Sequence, residues 1–338
     1  MNGLQLPGRT GELEQGTGSS VGLLVMLRCA VLDDYQGVAL GLADWSRVRV
    51  TSFRDHFTAR DDLVAALRDY EIVVIMRERT PFPAEVLDRL PNLRLLITSG
   101  MRNASVDVAA ARARGVTVCG TASDSTAPVE LTWALILGLA RHLLPEATAL
   151  RADGPWQSTV GTDLHGRTLG LLGLGKIGSR MAAIGRAFGM DVVAWSQHLT
   201  EERTDALGVR LAPGKDALLA ESDVVSVHLV LSDRTRGLIG ERELSLMRPA
   251  SYLVNTSRAA IVDQEALVAA LRAGRIAGAG LDVFELEPLP AGHPFRTLPN
   301  VLATPHLGYV TELNYGTYFR EAVEDIDAFL AGTPIRTL

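Results

Sequence analysis

Thr168-Leu169-Gly170-Leu171-Leu172 runs directly into Gly173-Leu174-Gly175-Lys176-Ile177-Gly178, and a helix-like stretch from Ser179 to Gly189 follows. No other feature limits the possible folds of this chain as much. A mainly apolar run of strand length, a glycine turn and a helix are joined without a spacer. Gly173 lets the turn close, Gly175 lets an anion approach the backbone, and Gly178 lets the helix lie close to the strand. The free N–H groups at the start of that helix, near Lys176 and Ile177, then form an anion site. In this strand–turn–helix setting the pattern predicts a dinucleotide pyrophosphate site rather than an ordinary glycine turn.

The rest of the 338-residue chain repeats the alternation. Strand-length apolar runs fall at 27–32, 47–53, 72–76, 93–98 and 116–119, with helical patterns at 61–69, 83–90 and 107–114. A second series has strands at 169–172, 191–194, 224–227, 252–255, 276–281 and 301–303, with helices at 178–188 and 264–273. Apolar strands separated by helices predict parallel sheets covered on both faces. The length favours two domains. The expected fold class is α/β, with two doubly wound, Rossmann-like domains and a cleft between them. Ligands in such folds sit beyond the carboxyl ends of the strands.

Two helices have wider consequences. Residues 128–150 read as one long helix, with Pro128 in its first turn and apolar side chains most of the way round. Such a helix is buried, either in the core of its own chain or against a second copy. The last helix, 312–330, has no strand after it and is expected to pack back on the first domain.

Composition removes other classes. A net charge of −6 with no basic stripe speaks against nucleic acid as a partner. No apolar run has the length of a membrane span. Cys29 and Cys119 lie in apolar runs, as reduced, buried thiols of a cytoplasmic protein do. No Cys/His cluster has metal-ligand spacing, so no metal is expected. Residues 1–25, rich in Gly, Gln, Ser and Thr, lack the pattern of a secretion signal. They read as a disordered tail, with Met26 as an alternative start.

Three later segments carry the chemistry: Val254-Asn255-Thr256-Ser257-Arg258, Gly280-Leu281-Asp282-Val283-Phe284-Glu285-Leu286-Glu287-Pro288, and Ala303-Thr304-Pro305-His306-Leu307-Gly308. Each begins as an apolar strand and ends in polar residues. Each thus delivers its polar groups to the strand ends that hold the glycine turn. A planar guanidinium such as Arg258 suits a carboxylate next to a carbonyl. An imidazole such as His306 suits proton transfer near neutral pH. A carboxylate such as Glu287 orients that ring and favours the imidazolium.

From Met26 to Leu338 the chain resembles the D-isomer-specific 2-hydroxyacid dehydrogenase family. The Arg258, Glu287 and His306 motifs carry the resemblance, together with the spacing between them. It implies a discontinuous substrate-binding domain, 26–124 with 305–338, around an NAD(P)-binding domain, 125–304. It implies hydride transfer between a nicotinamide cofactor and a small D-2-hydroxy or 2-keto acid. Arg258 would hold the carboxylate and carbonyl, with His306 as general acid or base and Glu287 as its partner. Asp282 would reach the nicotinamide carboxamide. Gly173, Gly175, Lys176, Ile177, Gly178, Ser196, His228, Val230 and Thr256 would complete the cofactor site. Gly100, Met101 and Arg102 would meet the substrate. A homodimer is expected.

The chain departs from the family pattern at several points. Ser196 stands after the second dinucleotide-domain strand, where an acid ordinarily bonds the ribose 2′-hydroxyl. Serine neither makes that bond nor repels a 2′-phosphate, which tips the expected cofactor from NAD toward NADP, with Arg203 nearby. The family's Gly-x-Gly substrate loop reads Gly100-Met101-Arg102, with Arg102 at the second glycine. The segment often written His-x-Pro-x-Thr reads His228-Leu229-Val230-Leu231-Ser232. Tyr309 stands where a small residue is common and is expected on the pocket wall. Arg77 and Arg79 are expected to pair with Glu78 and nearby acids, or to meet a distal anion. Glu287 speaks against formate-type oxidation. The alternatives that stay open are 3-phosphoglycerate oxidation and a dinucleotide-sensing, corepressor-like binding protein.

Overall fold

The computed structural model describes residues 26–338. The tail expected at 1–25 lies outside the described residues. The first half alternates strictly: β1 (Arg28–Val31), α1 (Ala39–Leu42), β2 (Arg49–Ser52), α2 (Arg60–Leu67), β3 (Ile72–Ile75), α3 (Ala84–Leu87), β4 (Leu95–Thr98), α4 (Val108–Ala113) and β5 (Thr117–Gly120). These five strands form one parallel sheet in the order β2-β1-β3-β4-β5. All residues of β3 and β4 are buried, as their unbroken apolar sequences require of strands covered on both faces. β2 is the edge strand and only half-buried.

Two helices, α5 (Thr126–Ala140) and α6 (Leu143–Arg151), lead to the second half. Its strands are β6 (Thr168–Leu172), β7 (Asp191–Trp195), β8 (Arg210–Leu211), β9 (Val224–Val227), β10 (Tyr252–Asn255), β11 (Gly278–Leu281) and β12 (Val301–Ala303). The helices are α7 (Lys176–Ala187), α8 (Glu201–Asp205), α9 (Lys215–Glu221), α10 (Glu241–Leu246), α11 (Gln264–Arg272) and α12 (Glu312–Leu330). The seven strands pair in parallel in the order β12-β11-β10-β9-β6-β7-β8. Strand order reverses between β1 and β3 in the first sheet, and between β6 and β9 in the second. Those reversals open the crevices where ligands bind in such sheets.

The single helix expected at 128–150 is instead two helices bent by 66°. His142 breaks it in the left-handed conformation, with φ +49°. Pro145 gives the reason. In a continuous helix its ring would meet the carbonyl of Arg141 and its missing N–H would leave that carbonyl unbonded, whereas the first turn of a new helix tolerates it. The two pieces also differ in burial. α5 packs into the second core through Val129, Trp133, Leu135, Ile136 and Leu139. α6 has no buried residue and exposes Leu143, Leu144 and Leu150. No single helix among the described residues is long and apolar enough to cross a membrane.

α12 returns to the first sheet. Its Tyr315, Tyr318, Phe319, Ala322 and Ile326 share one core with Cys29, Val31, Ile72, Leu95 and Cys119. Both cysteines are buried free thiols.

Candidate active site

The glycine turn fits a dinucleotide by its shape. Gly173 has φ +104°, and a Cβ there would lie 2.7 Å from the carbonyl oxygen of His228, across the β6–β9 crevice. A Cβ on Gly178 would lie 2.1 Å from the carbonyl oxygen of Gly173. Gly175 has open space where its Cβ would be. It precedes α7, and no side chain caps the first N–H groups of that helix. The turn therefore presents free donors and the positive end of a 12-residue helix beside an accessible backbone. Lys176 and Ile177 form its first turn. Ser196 follows β7, half-buried. Arg203 donates to Ser179 Oγ at 3.1 Å and so stands over the start of α7. Arg234 lies 3.3 Å from His198 Nε2, two residues beyond Ser196.

His228, just past β9, bonds Ser226 Oγ at 2.9 Å through Nε2. Burial pushes its pKa down to about 4, so the ring is neutral at pH 7 and unsuited to donate a proton. Val230 is 81 % exposed.

Asn255 ends β10 and braces the turn that follows it. Its carboxamide accepts from the Ser257 N–H at 3.0 Å and donates to the Arg258 carbonyl at 3.0 Å. Thr256 is tied to Thr132 of α5 at 2.7 Å, and Ser257 Oγ donates to the Leu229 carbonyl at 2.6 Å. Arg258 is thereby turned across the cleft, where Nη2 donates to Glu78 Oε1 at 2.8 Å. Glu78 also faces Arg77, at 3.7 Å. Burial raises the Glu78 pKa, but the Arg258 and Arg77 guanidinium groups outweigh it and hold the carboxyl below its usual range.

Asp282 follows β11 and has no exposed surface. Its Oδ1 accepts from Thr304 Oγ1 at 2.6 Å and from the Leu307 N–H at 2.7 Å, and its Oδ2 from the Gly308 N–H at 2.8 Å. A Cβ at Gly308 would crowd that carboxylate at 3.1 Å. This grip holds His306 at φ +53°. Such a backbone costs a non-glycine residue roughly 1–3 kcal/mol and persists only where the surroundings enforce it. Glu287 Oε2 lies 2.7 Å from His306 Nδ1, while Glu287 Oε1 accepts from the Phe284 N–H at 2.9 Å. His306 Nε2 has no partner among the described residues and is free for a ligand.

A cavity of about 250 Å³ joins these parts, with Ile177, His228, Thr256, Arg258, Asp282 and His306 on its wall. Tyr309 lines it too, buried, and its hydroxyl has no partner among the described residues. Gly100 does not offer its N–H, which Thr121 Oγ1 accepts at 3.0 Å. Met101 and Arg102 are exposed. Asn103 braces this loop by donating to the Arg77 carbonyl at 2.7 Å and to Thr98 Oγ1 at 2.8 Å. Arg79 departs from its expected acid pairing. It donates to the Asp33 carbonyl at 3.1 Å and has no carboxylate within salt-bridge distance among the described residues. Among those residues no group of three or more His, Cys, Asp or Glu side chains is arranged to hold a metal.

The sequence named Glu78 as a partner of Arg77 but not of Arg258, and it gave Asn255 no role of its own. Asn255 carries a local signal, since Asn two residues before Ser favours a side-chain-closed turn. The Glu78–Arg258 contact carries none, because the two lie 180 residues apart.

Residues 133–308 match the family described as D-isomer specific 2-hydroxyacid dehydrogenase, NAD binding domain. The chain is 42% identical to the glyoxylate reductase of Aeropyrum pernix over 258 residues, covering 73% of this chain and 76% of that one. It is 34% identical to the D-3-phosphoglycerate dehydrogenase of Methanocaldococcus jannaschii over 256 residues, 75% of this chain and 48% of that one. The chain thus spans about half the length of that relative. The solved structure of a phosphoglycerate oxidoreductase from Vibrio cholerae o395 matches with a TM-score of 0.86 at 39% identity, covering 91% of this chain and 100% of that one. With the matched segment extending over half its length, and with such relatives, this chain belongs to the D-isomer specific 2-hydroxyacid dehydrogenase family.

Proposed function

We propose that the protein reduces a 2-keto acid to the D-2-hydroxy acid, with Arg258, Glu287 and His306 as its working side chains. The observation that carries this reading is that Arg258, His306 and the first turn of α7 border one cavity. Bound at Gly173–Gly178, a nicotinamide dinucleotide supplies the hydride. Lys176 and Ile177 would hold its pyrophosphate, and His228, Thr256 and Asp282 its nicotinamide end, with Val230 at the mouth. Arg258 binds the substrate carboxylate through its fork and stabilises negative charge growing on the carbonyl oxygen. Met101 and Arg102 receive the carboxylate from the other side, on the loop that Gly100 begins. His306 donates the Nε2 proton to that oxygen, and in the reverse direction the neutral ring takes it back. Glu287 holds the ring through Nδ1 and balances the imidazolium charge. One hydride and one proton together convert C=O to CH–OH.

We read residues 26–124 with 305–338 as the substrate half, supported by the core that α12 shares with the first sheet. Residues 125–304 form the dinucleotide half. NADP is the preferred cofactor on this reading. Ser196 leaves the 2′ position without an acid, and Arg203 and Arg234 stand near it. The protein is a homodimer in which a second copy covers Leu143, Leu144 and Leu150 of α6 and Trp156 beyond it, all exposed here. Its buried free thiols suit the reducing cytoplasm.

The test is direct. With NADPH or NADH and a panel of 2-keto acids that begins with glyoxylate, cofactor absorbance falls. In reverse, D- but not L-2-hydroxy acids are oxidised. Arg258→Lys keeps the charge and loses the fork, and kcat/KM falls by about 100-fold or more. Dinucleotide binding without turnover of any 2-keto acid marks a sensing protein instead.

A further inference from the structure

A second cavity borders Glu287 and shares His306 with the first, and the chemistry above does not use it. Its volume is about 390 Å³, the space of roughly 13 waters at 30 Å³ each. Glyoxylate, with five heavy atoms, leaves such a space empty. The cavity has two unlike walls. Phe284, Leu289 and Phe295 form an apolar one, and Tyr35, His56 and Arg79 a polar one.

The polar wall is built around Asp33. That residue is 2 % exposed and held at φ +56°, a strained backbone for a side-chain-bearing residue. Its Oδ1 lies 2.9 Å from His56 Nδ1, and its Oδ2 accepts from Thr80 Oγ1 at 2.6 Å. Its carbonyl accepts from Arg79 Nη1 at 3.1 Å. The Arg79 guanidinium lies 4.6 Å from the Tyr35 ring centroid and 5.2 Å from that of Tyr309. Aromatic faces hold a guanidinium in place while leaving its charge uncancelled. One of its five N–H groups is used on Asp33, and no carboxylate pairs with it among the described residues. An immobilised cation of this kind, beside His56 and at the end of an apolar slot, is a receptor for an anion.

We propose that this cavity takes the substrate's side chain, and that it selects 2-keto acids whose extended aliphatic chain ends in a second carboxylate received by Arg79 and His56. The inference rests on the reading of Arg258 and His306 given above. The keto acid end occupies those two residues, the methylene chain lies along Phe284, Leu289 and Phe295, and the terminal acid meets the polar wall.

A matched pair of substrates isolates that contact. 2-Ketohexanoate and 2-ketoadipate have the same carbon count and differ only in the terminal carboxylate. In NAD(P)H oxidation assays the parent protein is expected to favour 2-ketoadipate at least tenfold in kcat/KM. Arg79→Leu should bring that ratio close to one, and Arg79→Lys should keep part of it. Because each ratio is taken within one variant, partial misfolding cancels. Equal rates on the two acids in the parent, or a ratio that survives Arg79→Leu, overturn the proposal. Faster turnover of 3-phosphohydroxypyruvate than of 2-ketoadipate also overturns it, since the second acid would then lie one carbon from the carbonyl. If neither these acids nor glyoxylate is reduced, the reading of the catalytic site itself has failed.

Discussion

Arg258 Nη2 donates to Glu78 Oε1 at 2.8 Å, and the bond crosses the cleft from the loop after β10 to the loop after β3. A carboxylate of the protein thus occupies part of the fork that the proposed function gives to the substrate carboxylate. Glu78→Gln keeps the size and hydrogen-bonding capacity and removes the competing charge. A charge-assisted bond is worth about 1.5–3 kcal/mol and the neutral bond that replaces it about 0.5–1.5, so the substitution weakens the competing contact by roughly 1 kcal/mol. The KM for the best keto acid is therefore expected to fall roughly three- to tenfold, as read from steady-state kinetics. An unchanged or raised KM would mean that the substrate leaves this ion pair intact.

The same pair makes stability depend on pH. Burial alone would raise the Glu78 pKa, yet Arg258 and Arg77 bring it below the ordinary value of 4.5. The folded pKa is depressed, so the stabilising share is complete above the unfolded value and is lost as pH falls through the folded one. Thermal melts of the parent and Glu78→Gln should differ at neutral pH and converge in acid well below about pH 4. A constant gap across the series would assign the difference to packing.

Gly178 and Gly175, in one turn, are expected to respond to alanine in opposite ways. Gly178→Ala places a Cβ 2.1 Å from the Gly173 carbonyl oxygen, which backbone cannot yield cheaply. It should destabilise the fold by about 1–3 kcal/mol or more and lower Tm. Gly175→Ala meets no protein atom. Its Tm should stay at the parental value while the dinucleotide Kd, measured by nicotinamide fluorescence, rises. If both variants bind dinucleotide normally, the turn is only a structural one.

Most strands could be read from the sequence because they are short apolar runs buried on both faces, as Ile72–Ile75 and Tyr252–Asn255 are, whereas β8, two partly exposed residues at the sheet edge, left no such run. The break between α5 and α6 was also written there, in Pro145, but apolar periodicity continued across it and masked the steric signal. Arg258, Glu287 and His306 stood out because strand segments turn polar where they leave the sheet. Contacts between distant segments gave no such signal. Glu78 meets Arg258 only after two sheets face each other. The sequence offered Asp282 only a cofactor role; its hydrogen bonds to Thr304, Leu307 and Gly308, which shape the loop that carries His306, arise only when that loop folds over it.

Ser196→Asp tests the cofactor reading. The new carboxylate can accept from a ribose 2′-hydroxyl and repels a 2′-phosphate. The ratio of kcat/KM for NADPH to that for NADH is expected to fall by about tenfold or more. An unchanged ratio would place recognition of the 2′ position elsewhere, with Arg203→Ala as the variant to measure next.

Glu287→Gln tests the pairing with His306. The amide keeps a hydrogen-bonding group at 2.7 Å from Nδ1 in the parent geometry but removes the charge that favours the imidazolium. On the proposed reading the kcat of keto-acid reduction should fall by about 100-fold, the lower end of what a positioned acid or base contributes. The KM should stay near the parental value, because Arg258 still binds the carboxylate. Glu287→Asp, which keeps the charge on a shorter arm, should recover part of the lost kcat. A parental kcat in Glu287→Gln would remove the pair from proton transfer. A raised KM with kcat unchanged would make Glu287 a support for substrate binding instead.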